Sequence, residues 1–231
     1  EDMVRHMILN SVRMYRMMFN EDYGEVVLTW DSRHYWRRDY FPEYKLNRKM
    51  GREKDTKDWD QIYGVLNKIK DEMRLNLPYK YLEVYGAEAD DIIAVLCKKY
   101  QSENIVIVSA DKDFIQLHKY SKVKQYSPNT KKMVNGLDPD VYIKEHVLKG
   151  DSSDGIPNVL SPDNTFVDGL RQKPLGKKKI GVILQTDFDE LHDEVKRNYQ
   201  RNEKLINLDN VPEELEFKIL REFDSAPCGD R

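Results

Sequence analysis

Short apolar runs that break off at or just before an acidic residue, with helical stretches between them, constrain the fold of this 231-residue chain most tightly. Val26 to Trp30 ends at Asp31, and Ile105 to Ser109 stays apolar until its end and leads into Asp111. A strand with no polar face must be covered on both sides. Such strands alternating with helices specify an α/β fold with a mainly parallel sheet and helices on both faces. In open sheets of this kind ligands gather beyond the carboxyl ends of the strands, and Asp31 and Asp111 stand there.

The remaining elements fit this alternation. Met3, Met7, Ile8, Val12 and Met14 recur at roughly helical spacing, predicting a helix over 1–18. A helix is predicted over 60–76, ended by Leu77-Pro78, and then a strand from Tyr79 to Val84. Ala89, Ile92, Ile93 and Leu96 mark another helix. Phe114 to His118 reads as a short helix and Val123 to Ser127 as a strand. Pro128-Asn129 turns the chain into Met133-Val134. Asp138 followed by Pro139 reads as a cap with proline at the first helical position, starting a helix to about Leu148. After residue 150 glycine, proline, serine and asparagine dominate to about residue 176, and helical patterns return near 180–206 and 212–222. The expected organisation is an α/β core over 1–137 and a helical portion over 138–231.

No window is long and apolar enough to cross a membrane and the amino terminus lacks a signal-peptide core, so the expectation is a cytoplasmic protein. Two cysteines, Cys97 and Cys228, are too few for a disulfide framework or a Cys-rich zinc site. A formal net charge of −3 disfavours a polyanion partner until its distribution is followed. From Arg33 to Lys54 eight basic residues face three acids, a local net of +5. Arg171, Lys173, Lys177, Lys178 and Lys179 form a second basic block. Basic surfaces flanking an acidic centre suit a polyanion held over metal ions.

The acids are grouped. Glu88, Asp90 and Asp91 open one helix, Asp111 and Asp113 follow a strand, and Asp151 and Asp154 share a glycine-framed loop. Grouped carboxylates repel one another unless cations hold them, which suggests Mg²⁺ and phosphate chemistry. Plainer readings stand beside this one. Acids in a first helical turn are favoured by the helix dipole by roughly 0.3–1 kcal/mol each, and Asp91 is the acid that this accounts for best. Asp113 could be a helix cap, and the Asp151/Asp154 loop a solvated turn. Lys45, Arg48 and Arg52, spaced i, i+3 and i+7, could share one helical face or simply be solvated. Arg37 and Arg38 lie beside Tyr35, Trp36, Tyr40 and Tyr44, rings on which unpaired bases could stack.

The ordered set of a post-strand Asp, Glu88-Ala89-Asp90-Asp91, Ser109-Ala110-Asp111-Lys112-Asp113 and Gly150-Asp151-Ser152-Ser153-Asp154-Gly155-Ile156-Pro157 resembles the flap endonuclease and 5′ nuclease superfamily. Tyr35-Trp36-Arg37-Arg38-Asp39-Tyr40, Gln116-Leu117-His118-Lys119-Tyr120 and Met3-Val4-Arg5-His6 narrow the resemblance to its ribonuclease H branch from T-even bacteriophages. The resemblance implies a PIN-like 5′ nuclease fold with a helix-three-turn-helix over 139–180. It implies a 5′ to 3′ exonuclease and flap endonuclease that acts on DNA and RNA·DNA duplexes and removes RNA primers in lagging-strand replication. It also implies two Mg²⁺ ions, replaceable by Mn²⁺. Asp31, Glu88, Asp90, Asp111 and Asp113 would surround one ion, and Asp151 and Asp154 would serve the second. An arch over 33–58 would bring Lys45 and Arg38 to the scissile phosphate, with Arg37, Tyr44, Arg48 and Arg52 as neighbouring nucleic-acid contacts and Lys177, Lys178 and Lys179 on the duplex backbone. A monomer in host cytoplasm, working with a single-stranded DNA-binding protein and a sliding clamp, completes the implied picture.

This sequence departs from the family in two places. A stretch from Leu160 to Lys173 replaces the usual glycine-rich hairpin, which weighs against a bound potassium ion. The family's first strand, with its metal-binding Asp, is expected upstream of Glu1, and a partner-binding tail could follow Arg231. Two other readings compete. A topoisomerase-primase domain also combines a Glu with an Asp-x-Asp, but its Glu follows a first strand. A non-catalytic, structure-specific DNA-binding protein would need no complete acidic set.

Overall fold

The computed structural model describes residues 1–227, so Cys228 and the tail after it lie outside the described residues. Helix α1 (Asp2–Tyr23) is followed by β1 (Val27–Thr29), the short helices α2 (Trp36–Tyr40) and α3 (Leu46–Glu53), and α4 (Trp59–Asn76). Next come β2 (Lys80–Leu82), α5 (Ala89–Lys99), β3 (Ile105–Val108), a 3-10 helix over Lys112–Lys119, β4 (Val123–Ser127) and β5 (Lys132–Met133). Helices α6 (Pro139–Lys149), α7 (Lys177–Gln185), α8 (Asp193–Ile206) and α9 (Glu213–Ser225) complete the order.

The strands are parallel where the apolar runs required it. β1 pairs with β2 and β3 with β4, both parallel, while β5 adds an antiparallel edge after the turn at 128–131. Among the described residues the sheet is in two pieces, β1-β2 and β3-β4-β5, rather than the single sheet that the alternation predicts. Pairing continues past the strand ends, where the site lies. Ser32 N–H donates to Ala87 O at 3.0 Å and Ser109 N–H to Tyr126 O at 3.0 Å. The first bond lays Asp31 beside the start of α5, and the second fixes the backbone leading to Asp111.

Helices cover both faces. Ile107 and Val123 pack with Ala94 and Cys97 of α5 and with Phe114 and Leu117 of the 3-10 helix. On the opposite face Tyr126 of β4 meets Tyr15 and Phe19 of α1 edge-on, at 5.9 and 5.2 Å between ring centroids. The side of α1 turned to the sheet carries Val4, Ile8, Val12, Tyr15 and Phe19. The methionines that helped to reveal this helix point elsewhere, and Met17 is 75% exposed.

The region after residue 138 is tied to the core. Phe41 and Tyr44, between α2 and α3, are buried with Val147, Ile156, Leu205 and Ile206. Helix α9 returns to the β1-β2 side and adds Leu215 and Ile219 to the cluster around Leu82 and Ile92. Burying a side chain of this size stabilises by roughly 1.5–3 kcal/mol, so α9 belongs energetically to the core. The helical pattern expected across 180–206 is interrupted between α7 and α8. Asp187 caps a 3-10 turn at Phe188–Glu190, and His192 Nδ1 accepts the Glu194 N–H at 3.3 Å to start α8. The glycine- and asparagine-rich stretch is ordered by buried amides. Asn198 donates to Val159 O at 3.0 Å, and Asn202 donates to Val147 O at 2.8 Å and Pro157 O at 2.9 Å. No described helix is long and apolar enough to cross a membrane.

Candidate active site

The post-strand acids and the α6–loop acids meet in one cleft. Glu88, Asp90, Asp113, Asp151 and Asp154 line it with Arg37 and Tyr44. Asp31 and Asp111 stand at its margin, near enough that both raise the pKa of Asp90. All seven predicted acids therefore gather at one place, as sheet topology requires of residues beyond parallel strand ends.

Each acid is positioned by its local backbone. Asp31 accepts the Ala89 N–H at 2.8 Å, joining the end of β1 to the first turn of α5. Asp111 caps the 3-10 helix by accepting the Asp113 N–H at 3.0 Å. Asp151 accepts from the Ser153 N–H and hydroxyl, both at 2.7 Å, which folds its loop back on itself. Asp91 is fully buried, accepts the Glu88 N–H at 3.0 Å and pairs with Arg37 at 2.8 Å. It is a structural acid, as the helix-dipole reading has it.

The Glu88 side of the cleft is neutralised from within. Glu88, 3% exposed, accepts from Arg37 at 3.0 Å, the Tyr44 hydroxyl at 3.0 Å and Lys45 Nζ at 2.5 Å. Asp154 accepts from Tyr44 at 2.9 Å, pairs with Arg48 and lies 3.7 Å from Lys45. Lys45 adopts a left-handed backbone, φ 57°, held by its N–H donating to Asp154 O at 2.8 Å. That conformation costs a non-glycine residue about 1–2 kcal/mol and aims the side chain into the cleft. Burial works against the Lys45 charge, and Asp154 with Glu88 outweighs it, so the ammonium is held above its ordinary pKa. Burial pushes Asp154 up, opposed by Lys45 and Arg48. Asp90 is pushed up to about 8 by burial, then by Asp111 and Glu88, with Lys45 opposing.

Three expectations need correction. Arg37 and Tyr44 are each 3% exposed and do not face a nucleic acid. Arg37 spends its donors on Leu205 O at 2.7 Å, Glu88 and Asp91, and Tyr44 bridges Glu88 and Asp154, so both are buried struts under the acids. Lys45, Arg48 and Arg52 do not form one solvated face. Lys45 precedes α3, Arg48 turns to Asp154, and Arg52 lies over the Tyr63 ring at 6.0 Å. Arg38 remains exposed at the rim, donating to the Tyr35 hydroxyl at 2.8 Å. Lys177, Lys178 and Lys179 are exposed on the first turn of α7. Asp113 is also grouped differently from the expected ligand division, since it stands with Asp151 and His146.

Sequence reasoning missed His146, Tyr142 and Gln125. His146 Nε2 is 3.1 Å from Asp113, and Tyr142 donates to the same carboxylate at 3.4 Å. Burial opposes the charge of His146, and Asp113 with Asp151 raises its pKa overall. Gln125, 1% exposed, donates to Ser109 O at 2.9 Å and Asp111 O at 2.6 Å, clamping the turn that carries Asp111 and Asp113. A polar residue inside a strand pattern is the one signal that could have pointed to it.

The donor set fits divalent cations. It offers hard carboxylate oxygens, crowded enough to hold a proton on Asp90 near neutral pH, on a framework braced by buried cations. Glu88 opens α5 instead of following a first strand, and the Asp151/Asp154 loop lines the same cleft, which removes the topoisomerase-primase reading.

Comparison with known proteins agrees with this geometry. The family described as "5′-3′ exonuclease, N-terminal resolvase-like domain" matches residues 3–147, and "T4 RNase H, C terminal" matches residues 137–231. The ribonuclease H of Enterobacteria phage T4 is 35% identical over 243 residues, covering 99% of this chain and 79% of that protein. The D15 protein of T5, co-crystallised with metal ions, superposes with a TM-score of 0.74 at 17% identity, covering 95% of this chain and 91% of that one. The bacteriophage T5 D15 flap endonuclease, in a complex with DNA and metal ions, gives 0.71 at 17% identity, covering 96% and 91%. At that identity the likeness is one of fold, the PIN-like α/β nuclease fold. With both family matches in chain order and a T4 relative aligned over nearly the whole of this sequence, the chain belongs to the 5′-3′ exonuclease family, in the branch that carries the T4 RNase H carboxyl-terminal domain.

Proposed function

We propose that this chain is a metal-dependent 5′ to 3′ exonuclease and flap endonuclease that hydrolyses phosphodiester bonds of DNA and RNA·DNA duplexes and removes RNA primers during lagging-strand replication. The observation that carries the reading is the convergence of seven carboxylates on one cleft with Lys45 held inside it. The ions are Mg²⁺, two per site, with Mn²⁺ able to replace them; when bound, divalent cations activate water and stabilise the leaving oxygen. Asp31, Glu88, Asp90 and Asp111 would hold cation on one side, and Asp113, Asp151 and Asp154 on the other.

The protein's own groups do the rest. Arg37 and Tyr44 keep Glu88 and Asp154 in place without entering the reaction. Lys45 leaves Glu88 to meet the scissile phosphate, where its ammonium stabilises the charge that develops in the transition state. Arg38 and Arg48 flank the path of the strand, with Arg52 further out on α3. Residues 1–137 serve as the nuclease core, and 138–231 grip the duplex through Lys177, Lys178 and Lys179, with α9 contributing to the core. The substrate class is nicked or branched DNA, or RNA·DNA, with a free 5′ end. The enzyme acts as a monomer in the host cytoplasm, alongside a single-stranded DNA-binding protein and a sliding clamp.

The full-length protein is incubated with 5′-labelled primer-template and 5′-flap DNA, with Mg²⁺ or with EDTA. Short products in Mg²⁺ alone are expected, and none from Asp111→Ala. Cleavage in EDTA, or undiminished cleavage by Asp111→Ala, would overturn the proposal.

A further inference from the structure

Helix α6 brings two ring side chains to the edge of the acidic cleft, one turn apart. His146 Nε2 lies 3.1 Å from an oxygen of Asp113, yet that sealed nitrogen makes no hydrogen bond among the described residues. The two atoms form an ion pair whose alignment falls short of a hydrogen bond, a disposition that two donors sharing one cation also have. A separation near 3 Å is what two ligands at roughly right angles on bonds of about 2.1 Å would show. Asp151 closes the set, since one donor atom from each of Asp113, His146 and Asp151 falls within 4.8 Å of the others. Tyr142 fixes the ring, stacking on it at 5.4 Å and 23° while its hydroxyl donates to Asp113 at 3.4 Å.

We infer that His146 is a nitrogen ligand of the cation held by Asp113 and Asp151, which makes this half of the cleft a site for imidazole-accepting transition ions such as Mn²⁺, Co²⁺ or Zn²⁺. Mg²⁺ takes oxygen ligands and gives up its waters reluctantly, so a histidine donor adds little for it. First-row transition ions accept imidazole readily. The other half of the cleft offers carboxylates only and stays suited to Mg²⁺. The inference rests on the metal-dependent reading above and adds one donor to it. A histidine acting instead as a counter-ion to Asp113 would oppose every cation alike.

The full chain, stripped with EDTA, is titrated by calorimetry with CoCl₂ and separately with MgCl₂ in the absence of nucleic acid, as wild type and as His146→Gln. Co²⁺ binding is expected to weaken about tenfold or more in the variant, the range in which a change around a metal site tells. Mg²⁺ binding should change less than twofold. Electron spin-echo spectra of Mn²⁺ bound to wild-type protein labelled with ¹⁵N-histidine need no variant and should show nitrogen coupling. Equal weakening of both ions, no weakening of either, or Mn²⁺ without nitrogen coupling would each overturn the assignment. Nitrogen-coupled Mn²⁺ in a protein that cleaves no substrate would remove the nuclease proposal and leave the ligand assignment standing.

Discussion

The two halves of the acidic cleft are neutralised by different means. Glu88 is buried and satisfied by Arg37, Tyr44 and Lys45, three groups of the protein itself. Asp113 is only partly buried and meets the Tyr142 hydroxyl at 3.4 Å and the His146 imidazole at 3.1 Å. The first half is assembled before any cation arrives, because its own ion pairs fix the carboxylates. Asp113 and Asp151 leave their charge to be met from outside, whereas Asp154 beside them is paired with Lys45 and Arg48. A site built this way keeps its geometry without metal and still has a place where binding free energy is gained.

The largest test of that contrast is to break the internal pairing. Removing one partner from a buried ion pair leaves the other charge uncompensated, which costs about 3–5 kcal/mol. Arg37→Ala is therefore expected to lose about that much unfolding free energy in urea, since it strands both Glu88 and Asp91. Asp113→Asn, on the other side, should stay within about 0.5 kcal/mol of the parent. Similar losses in the two variants would mean that the halves are braced alike.

Lys45→Ala removes a cation that reaches both Glu88 and Asp154. It is expected to lower kcat about 10²–10³-fold, the loss seen when a preorganised charge-stabilising group is deleted, while duplex affinity falls much less. Pre-steady-state cleavage and equilibrium binding separate the two quantities. Equal losses in both would count against a role for Lys45 in the transition state.

Asp90 reports how much negative charge the cleft leaves unanswered. Its folded pKa is pushed up to about 8 against an ordinary value of 3.8, so the folded state binds the proton more tightly than the unfolded chain does. The stability this contributes is complete below about pH 4 and is lost as pH rises through about 8. In EDTA, raising the pH from 6 to 7 should lower unfolding free energy by at most about 1.4 kcal/mol. Saturating Mg²⁺ or the change Asp90→Asn should flatten the profile. A flat profile for the parent in EDTA would show that the cleft is already neutral.

Much of the site was legible because its acids are placed by simple rules. A carboxylate at the end of an apolar run must emerge at the strand's carboxyl end, and Asp31, Asp111 and Asp113 do. Glu88 and Asp90 were legible as an overcharged helix start. The roles of Arg37 and Tyr44 were not, because a basic and aromatic run reads as surface. Nothing local shows that Glu88 and Asp91, about fifty residues later, will bury them. His146 stayed hidden because a single histidine within a helix of mixed polarity has no pattern of its own, and its value comes only from the loop that α6 runs into. Apolar spacing predicts α1 correctly, and tertiary packing kept Ile8 and Val12 of that set against the sheet while Met3, Met7 and Met14 turned outward.

The smallest expected effect lies furthest from the cleft and sharpens the contrast by its absence there. Lys177, Lys178 and Lys179 are exposed at the start of α7, and none of them pairs with the acids that line the cleft among the described residues. If they touch only duplex phosphates, changing them to Ala weakens binding evenly across sequences. The slope of log affinity against log salt should become shallower by about 0.9 for each phosphate that is no longer neutralised. Because these lysines do not position Glu88 or Asp113, kcat at saturating substrate should stay at the parent value. Fluorescence anisotropy over a salt series gives the slope, and single-turnover cleavage gives the rate. A fall in kcat with an unchanged slope would move these lysines from the duplex to the reacting strand and would erase the distinction between grip and chemistry on which the proposed division of the chain depends.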